Sequence, residues 1–92
     1  MTHFLRTKDN KSIVDIDAWK DDLSAVVIID EYSKFLLDNL NRKEEIIEDF
    51  YLLSEIRGEY HETPNQTETP DELVGRRVKE IGKKYDLAYV TD

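Results

Sequence analysis

The side chains best able to do chemistry are carboxylates, and they crowd one stretch: Glu44, Glu45, Glu48, Asp49, Glu55 and Glu59 fall within sixteen residues. Carboxylates at this density have two uses. A pair can divide the roles of general acid and general base, or the whole array can stand in for phosphates and attract a basic protein. The first use is the rarer, since acidic helical faces are usually just solvated, and the chain also has no Cys, no Gly-x-Ser-x-Gly elbow and no Gly-rich phosphate loop. His3 and His61 stand alone, outside any His-x-x-x-His or Glu-x-x-His spacing, and are read as surface histidines. Asp15-Ile16-Asp17 lacks the further ligands and the Gly of a calcium loop. No catalytic residue, metal site or cofactor is expected, and the chain is not read as an enzyme.

The second use agrees with the distribution of charge. The net charge of -8 is carried by residues 15–62, which hold fourteen acidic against five basic side chains. Residues 76–84 run the other way, with Arg76, Arg77, Lys79, Lys83 and Lys84 against Glu80 alone. A chain with this field is repelled by nucleic acid and by anionic membranes and attracted to basic protein surfaces. The basic segment is expected to pair with the acidic stretch or to cap its own helix, so neither nucleic acid nor a membrane is expected as partner. Trp19, Phe35 and Phe50 lie on apolar stripes and are assigned to the core. Tyr51, Tyr60, Tyr85 and Tyr89 are amphipathic, as interface residues tend to be. The expected binding face is therefore Glu44, Glu45, Glu48, Glu55 and Glu59, with Tyr51 and Tyr60 at its margin.

Positioning such a face falls to helices. From Asp17 as N-cap, Trp19, Leu23, Val26, Ile29, Tyr32, Leu36, Leu37 and Leu40 recur at three- and four-residue steps, which predicts one long helix over 17–40. Val27 and Ile28 then interrupt its polar side and become a candidate interface between two copies of the chain. The β-branched run leaves a buried strand over 25–29 as the competing reading. Asn39-Leu40-Asn41 reads as a hinge. A second helix over 44–60 follows, with Ile46, Ile47, Phe50, Leu53, Ile56 and Tyr60 inward, and folds back on the first as an antiparallel hairpin.

At the ends of the chain the signals differ. Residues 4–7 and 12–16 read as short strands around the polar turn Lys8-Asp9-Asn10-Lys11; the alternative makes Ser12 to Asp15 a capping box. Residues 62–68 read as a loop. Thr69-Pro70-Asp71-Glu72 supplies a cap hydroxyl, Pro at the first helical position and a Glu able to bond back to the cap, opening a third helix over 69–84 with Gly82 as its C-cap. Residues 85–92 end in a short strand.

The expected architecture is a single α+β domain, mostly helical, in which a long helix hairpin and a third helix pack with a small sheet from the terminal segments. The expected function is that of a small acidic inhibitor, of the immunity-protein, antitoxin or phage-inhibitor type. Its partner would be a basic protein such as a nuclease or other nucleic-acid-binding enzyme, met in the cytoplasm. The alternative is a structural or adaptor protein that forms a homodimer through Val27 and Ile28.

Overall fold

A computed structural model describes residues 1–18, 23–28, 31–62 and 67–92, with the backbone alone described at 23–28. Three strands come first, β1 (Thr2–Arg6), β2 (Ser12–Ala18) and β3 (Leu23–Ile28). Helix α1 (Glu31–Asp38) leads through a 3-10 turn at Leu40–Arg42 into α2 (Lys43–Ser54) and α3 (Ile56–Glu62). Helix α4 (Pro70–Tyr85) and strand β4 (Ala88–Thr91) complete the chain. The fold is α+β and mostly helical, with a small antiparallel sheet in the order β3-β2-β1-β4. Among the described residues no helix is long and apolar enough to cross a membrane.

The hairpin β1–β2 turns at Asn10, whose φ of 63° is one that Asn tolerates better than most residues. Thr7 N–H donates to Lys11 O at 2.9 Å and closes the turn. A register shift opposite Leu5 and Arg6 leaves Ile13 as an extra residue, so that Ile13 and Val14 are both buried although they are adjacent. The capping-box reading of this segment falls with the strand. Ser12 still hydrogen-bonds Asp15 at 2.6 Å, but no helix starts there.

The expected long helix over 17–40 is corrected. Asp17 lies in β2, and residues 23–28 form β3, paired with β2 through Val14↔Ile28 and Ile16↔Val26. The competing strand reading was the right one. A run of β-branched residues suits a pleated backbone, and the ladder to β2 supplies hydrogen bonds that no spacing within the run reveals. Helix begins only at Glu31, and the helical hairpin is correspondingly shorter. Trp19 and Ile29 lie outside the described residues.

Tyr32, Phe35 and Leu36 turn α1 toward the core, whereas Leu37 and Leu40, expected on the packed stripe, are 68% and 61% exposed. Tyr32 and Phe35 meet Phe50 of α2 with ring centroids 5.0 and 6.5 Å apart. Ile46, Phe50, Leu53 and Ile56 are buried as expected, at about 1.5–3 kcal/mol each relative to exposure. Ile47 is exposed instead. The second helix is also not continuous. Ser54 Oγ donates to Tyr51 O at 2.6 Å, and the Glu55 N–H turns to the carbonyls of Leu52 and Leu53. Hydroxyl back-bonding of this kind bends helices, and α3 starts afresh at Ile56.

Helix α4 opens as its sequence demands. Thr69 accepts from the Glu72 N–H, and Glu72 reaches back to the Thr69 N–H, so both halves of the capping box are made. Its far end is corrected by four residues: the C-cap is Asp86, in the left-handed region at φ 57°. Gly82 lies inside the helix and is buried. A Cβ there would meet Leu5 Cδ2 at 2.9 Å and Leu87 O at 3.1 Å, so Gly82 lets the helix press against β1 and the following loop.

Two measurements check this reading. Thr69→Ala should lower the urea midpoint by the equivalent of about 0.5–2 kcal/mol. Gly82→Ala gains about 1 kcal/mol of helix propensity, but overpacking against the fully buried Leu5 and a backbone carbonyl costs about 1–3 kcal/mol. Net destabilisation by Gly82→Ala is expected, and a more stable variant would show that the contact yields.

Candidate functional site

The seven residues of the expected binding face lie on α2, on α3 and, for Glu55, at the junction between them, and the structure divides them. Glu45 is drawn into the protein's own ion pairs, with Arg42 and with Lys84 of α4, each at 3.1 Å. Asp49 accepts from Lys84 at 2.8 Å and from the Tyr85 hydroxyl. Glu59, expected to face solvent, is half-buried and paired with Arg77. The basic segment thus joins the acidic stretch, as its charge led one to expect. Tyr60 is also half-buried, packed against the core with its ring 5.4 Å from that of His61.

What remains outward is Glu44, Glu48, Tyr51 and Glu55. Glu44 and Glu48 have no side-chain hydrogen bond or ion pair among the described residues. Tyr51 is 61% exposed, and its hydrogen bond with Glu55 holds the phenol above its ordinary range. Between these residues stand the exposed Ile47 and Leu52, and Leu40, one turn ahead of Glu44, is exposed as well. Positions 40, 44, 47, 48, 51 and 55 recur at three- and four-residue steps and share one side of the helix. The result is a mixed acidic and apolar face. Val27 and Ile28, the candidate interface between two copies, lie in β3 rather than on a helix, and their side chains are outside the described residues.

Tyr85, expected at an interface, is instead the centre of a buried cluster. Its ring packs edge-on to Phe35 at 6.2 Å, and the Arg42 guanidinium lies over it at 4.5 Å. Burial first, and then the hydrogen bond to Asp49, push its phenol far above the ordinary value. The same carboxylates hold the Lys84 ammonium above its usual range, led by the Asp49 hydrogen bond. Lys84, and then Arg42, keep the Glu45 carboxyl below the usual carboxylate range.

His3 is corrected most sharply. It is 2% exposed, with Nε2 at 2.8 Å from Asp71 Oδ1 and Nδ1 at 2.7 Å from the Tyr89 hydroxyl. The alternation of His3 with Leu5 along β1 was the available signal, because period two puts both on the inward face. An Asp–His–Tyr chain has the composition of a proton relay, and its imidazole is packed tightly against α4. A Cβ on Gly75 would lie 3.1 Å from the Tyr89 oxygen and 3.3 Å from the His3 ring. The chain ties β1, β4 and α4 together and lies along an open surface cleft of about 710 Å³ that Glu72, Arg76, Lys79 and Thr91 also line. Among the described residues no group of three or more His, Asp or Glu side chains is placed to hold a metal ion.

Comparison with protein-family models, with curated proteins and with solved structures finds no match to this chain.

Two outcomes are expected from these contacts. Glu45 has a folded-state pKa below its unfolded value, so its stabilisation is present above the ordinary carboxylate range and is lost as pH falls through the folded value. Lys84→Met should return the Glu45 carboxyl toward its ordinary titration in a carbon-detected NMR experiment and flatten the acid limb of stability. Equal acid limbs in both proteins would remove the cluster from the account. Tyr89→Phe should cost about 1–3 kcal/mol by leaving a buried ring nitrogen of His3 without its partner, read as a lowered denaturation midpoint.

Proposed function

We propose that this chain is a small acidic inhibitor of the immunity-protein, antitoxin or phage-inhibitor type, which occludes a basic partner protein with the outward face of α2. One observation carries the reading: among the described residues Glu44 and Glu48 have no side-chain partner, on a surface that also exposes Ile47, Tyr51 and Leu52. Carboxylates already paired with Arg or Lys add little attraction for a further cation, whereas unpaired ones steer a basic protein from a distance. Aromatic and aliphatic side chains beside them supply the short-range energy that steering lacks. Enzymes that handle nucleic acid carry the basic surfaces such a face would fit, so a nuclease is the partner class we favour. The absence of Cys suits a reducing compartment, and we place the action in the cytoplasm.

The second reading, self-association without inhibition, draws on the position of β3 at one edge of the sheet. An edge strand presents unpaired backbone groups to a second copy. Sedimentation over a range of concentrations separates the two, since the inhibitor reading expects a monomer.

The test of the inhibitor is cross-linked co-purification from the native host, followed by assay of the captured protein with and without added chain. Stoichiometric loss of the partner's activity is expected. Association should be fast at low salt and slow markedly toward physiological ionic strength, where the Debye length is about 8 Å. Glu44→Lys with Glu48→Lys should slow it further and leave the fold intact; Glu59 is left alone because Arg77 depends on it. A rate indifferent to both salt and charge reversal overturns the acidic-face reading.

A further inference from the structure

We infer that the partner is anchored by one large apolar side chain, flanked by lysine or arginine, in a cleft beside the break between α2 and α3. This rests on the acidic-face reading above and adds to it the place and the chemistry of the anchor.

The cleft measures about 210 Å³. That is below the roughly 300–1,000 Å³ of sites that take small molecules and cofactors, and it suits a single side chain. Its floor is apolar, made by Leu53 and Ile56 with Ile81 from α4. Leu53 and Ile56 are 2% exposed and Ile81 is half-buried, so the floor is set by the core and does not need the occupant to form. Leu52 is the lip. It is 53% exposed and belongs also to the outward surface of α2, which makes the cleft continuous with the proposed face.

The rim sets the charge of the occupant. Asp49, Glu55, Glu59 and Glu80 line the cleft against the one guanidinium of Arg77. Arg77 is already shared between Glu59 and, at 3.7 Å, Glu80, while Arg76 reaches Glu80 at 3.8 Å and Lys84 serves Asp49 from outside the cleft, so that Glu55, bonded to the Tyr51 hydroxyl, is the rim carboxylate without a cation among the described residues. The balance at the mouth is negative. An uncharged apolar ligand would strip water from these carboxylates without replacing it, and an anionic one would be repelled. An apolar side chain carried between cations meets floor and rim together. This is the arrangement of an interface anchor, a buried apolar group ringed by polar contacts that keep water out.

The probe is a short amphipathic lysine–leucine peptide with one tryptophan as anchor, beside the same peptide with alanine in that place. Both are titrated into the full chain at low salt and followed by amide NMR. Shifts are expected to cluster on Leu52, Leu53, Ile56 and Ile81. Leu52→Ala, and the alanine peptide, should each weaken binding roughly tenfold, and combining them should cost little more than either alone. Ile47→Ala, on the same helix but outside the cleft, should leave the contribution of the tryptophan unchanged. Salt-sensitive binding whose shifts gather at Glu44 and Glu48, indifferent to the tryptophan and to Leu52, overturns the cleft while the acidic face survives. A peptide that fails to bind, or binds regardless of salt, takes both readings down.

Discussion

Helix α4 meets β1 at Gly82, where the side chain of Leu5 and the carbonyl of Leu87 occupy the space a Cβ would need. Close seating at that point sets the rest of the molecule. Leu73, Val74 and Val78 become the layer that covers the sheet, and Tyr85 reaches across to Phe50 at a centroid distance of 6.5 Å. On its flank the same helix delivers Arg77 to α3 and Lys84 to α2, and its first turn carries Asp71 to His3. Were the helix lifted by the width of a methyl group, the charged pairs on one side and the histidine chain on the other would lengthen together. A packing constraint at one residue thus governs polar contacts at both ends of a helix.

The electrostatics then divide the chain's carboxylates into two populations. Those within reach of α4, namely Glu45, Asp49 and Glu59, are tied to Lys84 and Arg77 and behave as structural groups. Exposed pairs of this kind are each worth about 0–1 kcal/mol, but around Tyr85 they form a network in which an ammonium, a guanidinium and a phenol share two carboxylates. Glu44 and Glu48 belong to the other population. Adjacent positions on α2, 44 beside 45 and 48 beside 49, separate available from structural charge, and net charge alone does not make that distinction.

How much of this could be read from the chain follows from how local each signal is. Thr69-Pro70-Asp71-Glu72 contains every atom its capping box uses, and the apolar spacing of α4 did the rest; Asp9-Asn10 likewise marks its own turn. Strand β3 was misassigned because Leu23, Val26 and Ile29 fit helical spacing, while the ladder that overrides it lies in β2. The ion pairs were hidden for a related reason: Lys84 is 35 residues from Asp49 and Arg77 is 18 from Glu59. No helix-periodic rule reaches that far. The helical character of residues 44–60 was therefore legible, but the carboxylates along them could not be sorted into paired and unpaired before the neighbouring helix was in view.

Strand β1 has a partner on each side, and the two differ in when they exist. β2 follows within a few residues, but β4 pairs His3 with Thr91 and Leu5 with Tyr89. A chain emerging from the ribosome at about 5–20 residues per second thus makes β1 well before β4, the strand that flanks it. Until α4 and β4 have been synthesised, Leu5 lacks its cover, His3 has neither Asp71 nor Tyr89, and one edge of β1 stands open. The nascent protein therefore holds a bare sheet edge and an uncovered apolar face until the residues up to Thr91 have left the exit tunnel.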